Sequence, residues 1–191
     1  LKARFQPLFD QIAAGAIERE QHRELAFDAV NQLREAGFTT PILLLGLVLP
    51  DEARDIVDYD VTQVVCELPL AESISREAVR QHKVAKVHLK VETGMGRIGV
   101  RPEEAAEFAA YVAGLPGLVL EGVFSHFATA DDRDKTYARA QLAAFQRALA
   151  AIEARGIHVP LRHIAESAAI LELPEAHLDM VHVGIIQHGL W

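Results

Sequence analysis

Four short segments of this 191-residue chain combine polar side chains with glycines and apolar runs in patterns that could support chemistry. The first, VHLKVETGMGRIGV, spans residues 87–100. A predicted strand delivers Lys90 and ends in a turn whose three glycines permit positive φ angles or the close approach of a ligand. Lys90 and Arg97 then become cations near the carboxyl end of a strand, where barrel enzymes place their sites. A glycine loop with solvated charges accounts for the same spacing equally well.

The other three segments place histidines, a carboxylate and a hydroxyl in or near predicted strand ends. GVFSHFATAD puts His126 inside an apolar strand, where a hydrogen-bonded core histidine is the more common role. RHIAESAA carries His163, Glu166 and Ser167 at a strand end. MVHVGIIQHG ends a strand at Gly184, and the free backbone amides there, together with Ser167, could hold a phosphate.

The composition indicates an ordinary folded domain that could hold these groups. Half of the residues are hydrophobic. The net charge of −8 argues against nucleic acid or an anionic membrane as the main partner, because both require a clustered basic surface. The one cysteine, Cys66, is expected to be a buried strand residue, which suits a reducing compartment. The first residues, LKARFQPLFDQ, do not resemble a signal peptide, and no apolar run approaches the ~18 residues that span a bilayer, so we expect a cytoplasmic protein.

From about residue 41 onward, short apolar runs alternate with helical patterns, as in right-handed βαβ units. The predicted strands are Pro41–Gly46, Gln63–Glu67, Val87–Val91, Leu120–Thr129, Leu161–Ser167 and Met180–Ile185. The predicted helices are Asp51–Val57, Ser73–His82, Pro102–Val112 and Asp134–Arg155. Residues 1–40 carry two helical stripes that meet near Gly15 and predict a helical hairpin. We therefore expect the α/β class, with an incomplete (β/α) TIM-like barrel of about six parallel strands over residues 41–191.

The motifs LREAGFTTPILLLG, VHLKVETGMGRIGV, SHFATAD and RHIAESAAIL follow one another at plausible spacing for successive barrel strands. Over roughly residues 33–191 they resemble the barrel of the pyridoxal-phosphate-dependent alanine racemases. The resemblance implies an isomerase that interconverts L- and D-alanine with pyridoxal 5'-phosphate as cofactor. It implies a small-molecule amino acid as the partner. A homodimer is also expected, although the family's dimer uses a C-terminal β-domain that these residues do not match.

The resemblance assigns roles residue by residue. Lys90 matches the family's carbamylated lysine, and Arg97 matches the arginine that steadies this carbamate and the cofactor phenolate. Met95 matches the residue whose backbone amide meets the substrate carboxylate. His182 stands at the position of the arginine that keeps the ring nitrogen unprotonated. His126 matches the histidine packed against the pyridine ring, and His163 matches the histidine beneath its nitrogen. The three positions of the phosphate cup are matched by Ser167, Gly184 and Ile185.

Three positions depart from the family pattern, and two catalytic residues have no match. Glu166 replaces asparagine, His182 replaces arginine and His188 replaces tyrosine. Glu166 adds a negative charge close to the expected phosphate. No segment resembles the VVKANAYGHG-like strand that carries the Schiff-base lysine, and the second base is a tyrosine of the β-domain. Because racemisation needs two opposed bases, the chain alone is expected to be inactive.

Two other functions stay open. One is a cofactor- or phosphate-binding barrel fragment without catalysis. The other is a metal site in which His163, Glu166 and His182 offer imidazole and carboxylate ligands suited to zinc or iron. Separately, residues 5–38 faintly resemble the first helices of acyl-CoA dehydrogenase-like flavoproteins, without a flavin-contacting motif. This suggests a truncated or chimeric chain.

Overall fold

The computed structural model describes residues 19–46 and 48–190. Five strands form one sheet in sequential order, and the pairs from the second strand to the fifth are parallel. The strands are β1 (Ile42–Leu44), β2 (Val61–Val65), β3 (Ala85–Lys90), β4 (Leu118–Phe124) and β5 (Leu161–His163). A sequentially ordered parallel sheet with helical crossovers is the wall of a (β/α) barrel, so the predicted incomplete TIM-like barrel is confirmed with five strands.

The helices alternate with these strands. They are α1 (Arg19–Glu35), α2 (Ala53–Asp58), α3 (Leu68–Arg80), α4 (Ala105–Gly114), α5 (Thr136–Glu153) and α6 (Ser167–Glu172), with 3-10 turns at Pro50–Glu52, Pro174–Ala176 and Ile185–His188. One compact unit covers Leu1–Ile42 and contains α1, and a second covers Leu43–Trp191. The first arm of the predicted hairpin lies outside the described residues. Within the described ranges, none of the helices has the length and apolar character to cross a bilayer.

The sixth predicted strand, Met180–Ile185, is wrong for the described part of the chain. Its ladder contact there is a single bridge between Met180 and His163. The backbone at Gly184 has φ −111° and ψ −114°, outside the range of extended strands, and Ile185 opens a 3-10 turn. The segment therefore runs beside β5 without forming a strand, with the amides of Asp179 and His182 donating to the carbonyls of Arg162 at 3.1 Å and Ala165 at 2.8 Å.

Other boundaries also differ from the prediction. β4 ends at Phe124 instead of Thr129, and β5 ends at His163 because Glu166 caps α6 immediately afterwards. Cys66 is not a buried strand residue, since it follows the end of β2 and is half-buried. Burial raises the pKa of its thiol, which disfavours the nucleophilic thiolate.

The core of the barrel unit contains several ionisable side chains. All five residues of β2 are buried, as expected for a strand covered on both faces. His88 and Lys90 on β3 and His163 on β5 are at most 1% exposed. Buried polar groups are stable only with partners, so these side chains determine how the site is organised.

Candidate active site

The loop after β3 is closed by backbone hydrogen bonds and by one carboxylate. The amide of Glu92 donates to the carbonyl of Val100 at 2.8 Å, and the amide of Val100 donates to that of Lys90 at 2.9 Å. The Glu92 carboxylate accepts from the amides of Gly94 at 2.5 Å and Arg97 at 3.3 Å. Glycine is required at residue 99, where φ is +129° and a Cβ would lie 2.8 Å from the backbone nitrogen of Glu92. These contacts therefore fix the conformation of the glycine loop.

Lys90 ends β3 inside the barrel. Its Nζ donates to the carbonyl of Val91 at 2.9 Å and lies 5.4 Å from the ring centroid of Phe124. Burial, opposed by the Glu92 carboxylate and assisted by the Arg97 charge, lowers the lysine pKa to about 8. An amine with such a pKa is partly neutral near physiological pH, the form in which an amine can act as a nucleophile.

A cleft of about 880 Å³ brings together six of the residues singled out in the sequence. These are Met95, His126, Glu166, Ser167, Gly184 and Ile185. They come from four segments that are far apart in the chain and follow three different strands. The cleft is therefore the place where the predicted site residues converge.

Ser167, Gly184 and Ile185 form one wall of the cleft. The Ser167 hydroxyl accepts hydrogen bonds from the amides of Gly184 at 3.1 Å and Ile186 at 3.5 Å. Because its oxygen is the acceptor in both, the hydroxyl hydrogen is free to be donated to a ligand. A Cβ at residue 184 would lie 3.1 Å from the Ser167 oxygen, so glycine allows this close approach.

Three histidines form a hydrogen-bonded row behind the cleft. His88 Nδ1 lies 2.8 Å from His163 Nε2, and His163 Nδ1 contacts His182 Nε2. His126, which lines the cleft, stacks on His182 with ring centroids 6.0 Å apart and planes 10° apart. The outer end of the row reaches Glu121, whose carboxylate lies 3.3 Å from His88 Nε2.

Burial keeps these rings neutral. Desolvation lowers the pKa of His88, and it lowers the pKa of His163 strongly with help from the neighbouring His182. The pKa values of His126 and His182 fall to about 4, first because of burial. For His126 the charges of Arg97 and Lys90 add to this effect. At neutral pH the row consists of uncharged imidazoles.

The structure does not bring the three predicted metal ligands together. His163 and His182 are in contact, but the Glu166 carboxylate accepts from the amides of Ala168 at 2.5 Å and Ala169 at 3.2 Å. It acts as the N-cap of α6. Among the described residues, no group of three or more histidine, cysteine or acidic side chains could hold a metal ion.

Three further residues organise the site and were not predicted from the sequence. His88 stands two residues before Lys90 in a strand, and Glu121 is the one charged residue of β4. Gln141 of α5 accepts from the amide of Ala128 at 3.0 Å and donates to the carbonyl of His126 at 3.3 Å, which holds the segment after β4. Glu121 could have been found from the sequence as a carboxylate inside an apolar strand. The helical pattern around Gln141 contains no comparable signal.

Comparison with known proteins gives this site a family. The family model of the alanine racemase N-terminal domain matches residues 11–190. The chain belongs to the alanine racemase family. The match begins well before residue 33, where the resemblance in the sequence becomes visible. Besides the six predicted residues named above, the lining of this cleft includes two further acidic side chains, Asp131 and Glu172.

Individual relatives agree with this membership. The chain is 51% identical over 163 residues to the alanine racemase of Desulfovibrio desulfuricans, covering 85% of this chain and 44% of the relative. It is 49% identical to that of Desulforamulus reducens, covering 84% of this chain and 44% of the relative. Thus the chain spans under half the length of these relatives.

Solved structures show the same barrel. An alanine racemase of Clostridium difficile 630 in complex with cycloserine superposes with a TM-score of 0.83 at 34% identity, covering 86% of this chain and 46% of that one. The Bacillus anthracis alanine racemase with bound L-Ala-P gives 0.78 at 33% identity, covering 86% and 42%. Both structures therefore share the fold of the described barrel over less than half of their own length.

Proposed function

We propose that this chain is the cofactor-binding barrel of an alanine racemase and that the cleft beside His126 takes pyridoxal 5'-phosphate. The observation that carries the proposal is the convergence of Met95, His126, Ser167 and Gly184 on one cleft. When bound, the cofactor supplies an electron sink for reactions at the α-carbon of an amino acid. An amino acid as substrate, a homodimer and a cytoplasmic location belong to the same proposal.

The groups present fit this cofactor. A phosphate would take the free hydroxyl hydrogen of Ser167 and backbone amides next to Gly184, donors of the kind that hold anions. The flat ring of His126 offers a stacking surface in the cleft wall. His182 does not itself line the cleft but stacks on His126, which does, and its Nδ1 is a buried polar atom without a hydrogen-bond partner among the described residues. Lys90 and Arg97 do not line the cleft, but their positive charges act on His126, which does.

We further propose that these 191 residues alone do not racemise alanine. Proton removal and return on opposite faces require two bases. Lys90 is the buried lysine of the described site, and its Nζ is held by the carbonyl of Val91 beneath the glycine loop. It fits a supporting role for the loop better than that of a base.

Binding can be tested with 4'-deoxypyridoxine 5'-phosphate, which lacks the aldehyde and cannot label lysines at random. Equilibrium dialysis should show saturable binding at one site. Ser167→Ala should weaken it about 10-fold or more, because one hydrogen bond to a charged group is worth about 1.5–3 kcal/mol. Ser73→Ala, on α3 away from the cleft, is the matched control and should bind normally. Absence of saturable binding would refute the cofactor proposal.

Turnover is tested separately by following D-alanine formation from L-alanine with pyridoxal 5'-phosphate present. No D-alanine above the protein-free reaction is expected. Sustained turnover by the pure chain would overturn the proposed inactivity while leaving the binding result intact.

The metal alternative has no support in the arrangement of Glu166, so a barrel that binds phosphate ligands without catalysis is the second candidate.

A further inference from the structure

An unbroken line of contacts joins a surface ion pair to the unpartnered nitrogen of His182. Lys86 Nζ lies 2.8 Å from Glu121 Oε1, and Glu121 Oε2 lies 3.3 Å from His88 Nε2. His88 Nδ1 continues to His163 Nε2 at 2.8 Å, and His163 Nδ1 to His182 Nε2. The line ends at His182 Nδ1, which is buried and has no partner in the described residues.

The carboxylate of Glu121, which contacts the first ring of the row, can only accept hydrogen bonds from it. Burial opposes ionisation of Glu121, but the hydrogen bond and charge of Lys86 outweigh it, so the carboxyl pKa lies below its ordinary value. An ionised carboxylate has no proton to donate. His88 must therefore carry its proton on Nε2, and its Nδ1 is left as an acceptor.

The same reasoning passes from ring to ring. A neutral imidazole has one N–H and one lone pair, so the acceptor Nδ1 of His88 requires a proton on Nε2 of His163. His163 Nδ1 is then an acceptor and requires a proton on Nε2 of His182. The reverse arrangement would need a protonated Glu121, which the ammonium group of Lys86 opposes.

We infer that Glu121 sets the tautomers of all three histidines and leaves Nδ1 of His182 as a hydrogen-bond acceptor for a ligand. The ligand group that satisfies it is a donor, an N–H or an O–H. A consequence that rests on the proposed function is that a pyridine-ring ligand bound here is held with its ring nitrogen protonated. An arginine at residue 182 could only donate and would select the unprotonated ring. His182 thus reverses the direction of this hydrogen bond.

The tautomers can be read in the ligand-free protein by two-bond ¹H–¹⁵N correlation of the imidazole nitrogens. His88, His163 and His182 should all be neutral, with the proton on Nε2. In Glu121→Gln the opposite tautomer should gain population at all three rings together, because an amide can donate as well as accept. Glu103→Gln, an exposed carboxylate outside the row, should leave the three spectra unchanged.

A proton on Nδ1 of His163 or His182 in the wild type would overturn the inference without any variant. So would a response to Glu121→Gln confined to His88. A second arm adds 4'-deoxypyridoxine 5'-phosphate labelled with ¹⁵N in the ring. A bound ring with a protonated nitrogen supports donation from the ligand to His182 Nδ1, and a bound unprotonated ring refutes it. Absence of binding overturns the proposed function alone, because the tautomers are measured without ligand.

Discussion

At the scale of single residues, Glu166 shows how one side chain can serve the fold while opposing a ligand. Its carboxylate satisfies two amides at the start of α6, which stabilises that helix. The same residue lines the cleft that also contains Ser167 and Gly184. A negative charge there repels a phosphate, so its helix-capping role and phosphate binding are in conflict.

Replacing Glu166 by asparagine should resolve this conflict. Asparagine is also a good N-cap, so thermal stability should change little. Removing the charge should tighten the binding of 4'-deoxypyridoxine 5'-phosphate by about 2- to 5-fold, the size of a partly exposed charge effect of ~0.3–1 kcal/mol. Equilibrium dialysis measures the change, with Glu104→Gln outside the cleft as control. Unchanged or weaker binding in Glu166→Asn would show that the carboxylate does not act on the anion.

Lys90 should make stability depend on pH in a defined window. Its pKa is about 8 in the fold against 10.5 in the unfolded chain, so between these values the unfolded chain binds more protons. The free energy of unfolding must then rise as pH increases from 8 to 10.5. Below that window burial of the charge destabilises the fold by on the order of 3 kcal/mol, before its hydrogen bond is counted.

Lys90→Met should remove this dependence. The variant should be more stable than the wild type at pH 7, and the difference should shrink toward pH 10.5 in urea denaturation series. Lys83→Met, an exposed lysine, should keep the wild-type rise. Parallel pH profiles for wild type and Lys90→Met would show that Lys90 does not titrate in this window, as expected if its nitrogen is carbamylated.

At the scale of elements, β4 is shaped to accommodate a side chain of β3. A Cβ at Gly122 would lie 2.6–2.8 Å from the ring atoms of His88, far inside van der Waals contact. Glycine at this position therefore lets the His88 ring of β3 lie over β4 and reach His163 on β5.

Gly122→Ala should displace that ring. The expected cost is about 1–3 kcal/mol in the free energy of unfolding, typical of overpacking a core, with loss of the His88–His163 contact. Urea denaturation measures the first effect and the imidazole ¹⁵N spectra measure the second. Gly114→Ala, where nothing lies within 4 Å of a new Cβ, is the matched control and should be neutral or stabilising. A Gly122→Ala variant as stable as the wild type would disprove the close fit.

Elements were predictable where local pattern and burial agree. Helix α5 follows directly from its apolar periodicity, whereas the strand predicted at Gln63–Glu67 lies two residues earlier, at Val61–Val65, because it also buries polar Thr62. Met180–Ile185 has the same apolar character but forms no regular strand, because its extended backbone is interrupted at Gly184 and its ladder pairing in the described residues is one bridge. Of the site, Lys90 and Ser167 were visible in motifs, whereas the role of His88 depends on strand register that no local pattern contains.

At the largest scale, the sheet formed by residues 42–163 is open, with no pairing between its first and last strands among the described residues. β1 and β5 are its end strands in the described residues. In the segments after β5, four apolar side chains are at least half exposed: Leu171, Val183, Ile185 and Leu190. Open strand edges and exposed apolar side chains both favour association with another chain.

We therefore expect the 191-residue chain to form a homodimer through the segment that follows β5. Sedimentation velocity over a range of micromolar concentrations should show a monomer–dimer equilibrium. Val183→Lys should shift it to monomer, because a charge would have to be buried in the contact. Val119→Lys, a comparably exposed valine on β4 at 45% against 50%, is the control and should dimerise normally. A wild type that stays monomeric throughout, or equal effects of both lysines, would show that this surface does not mediate dimerisation.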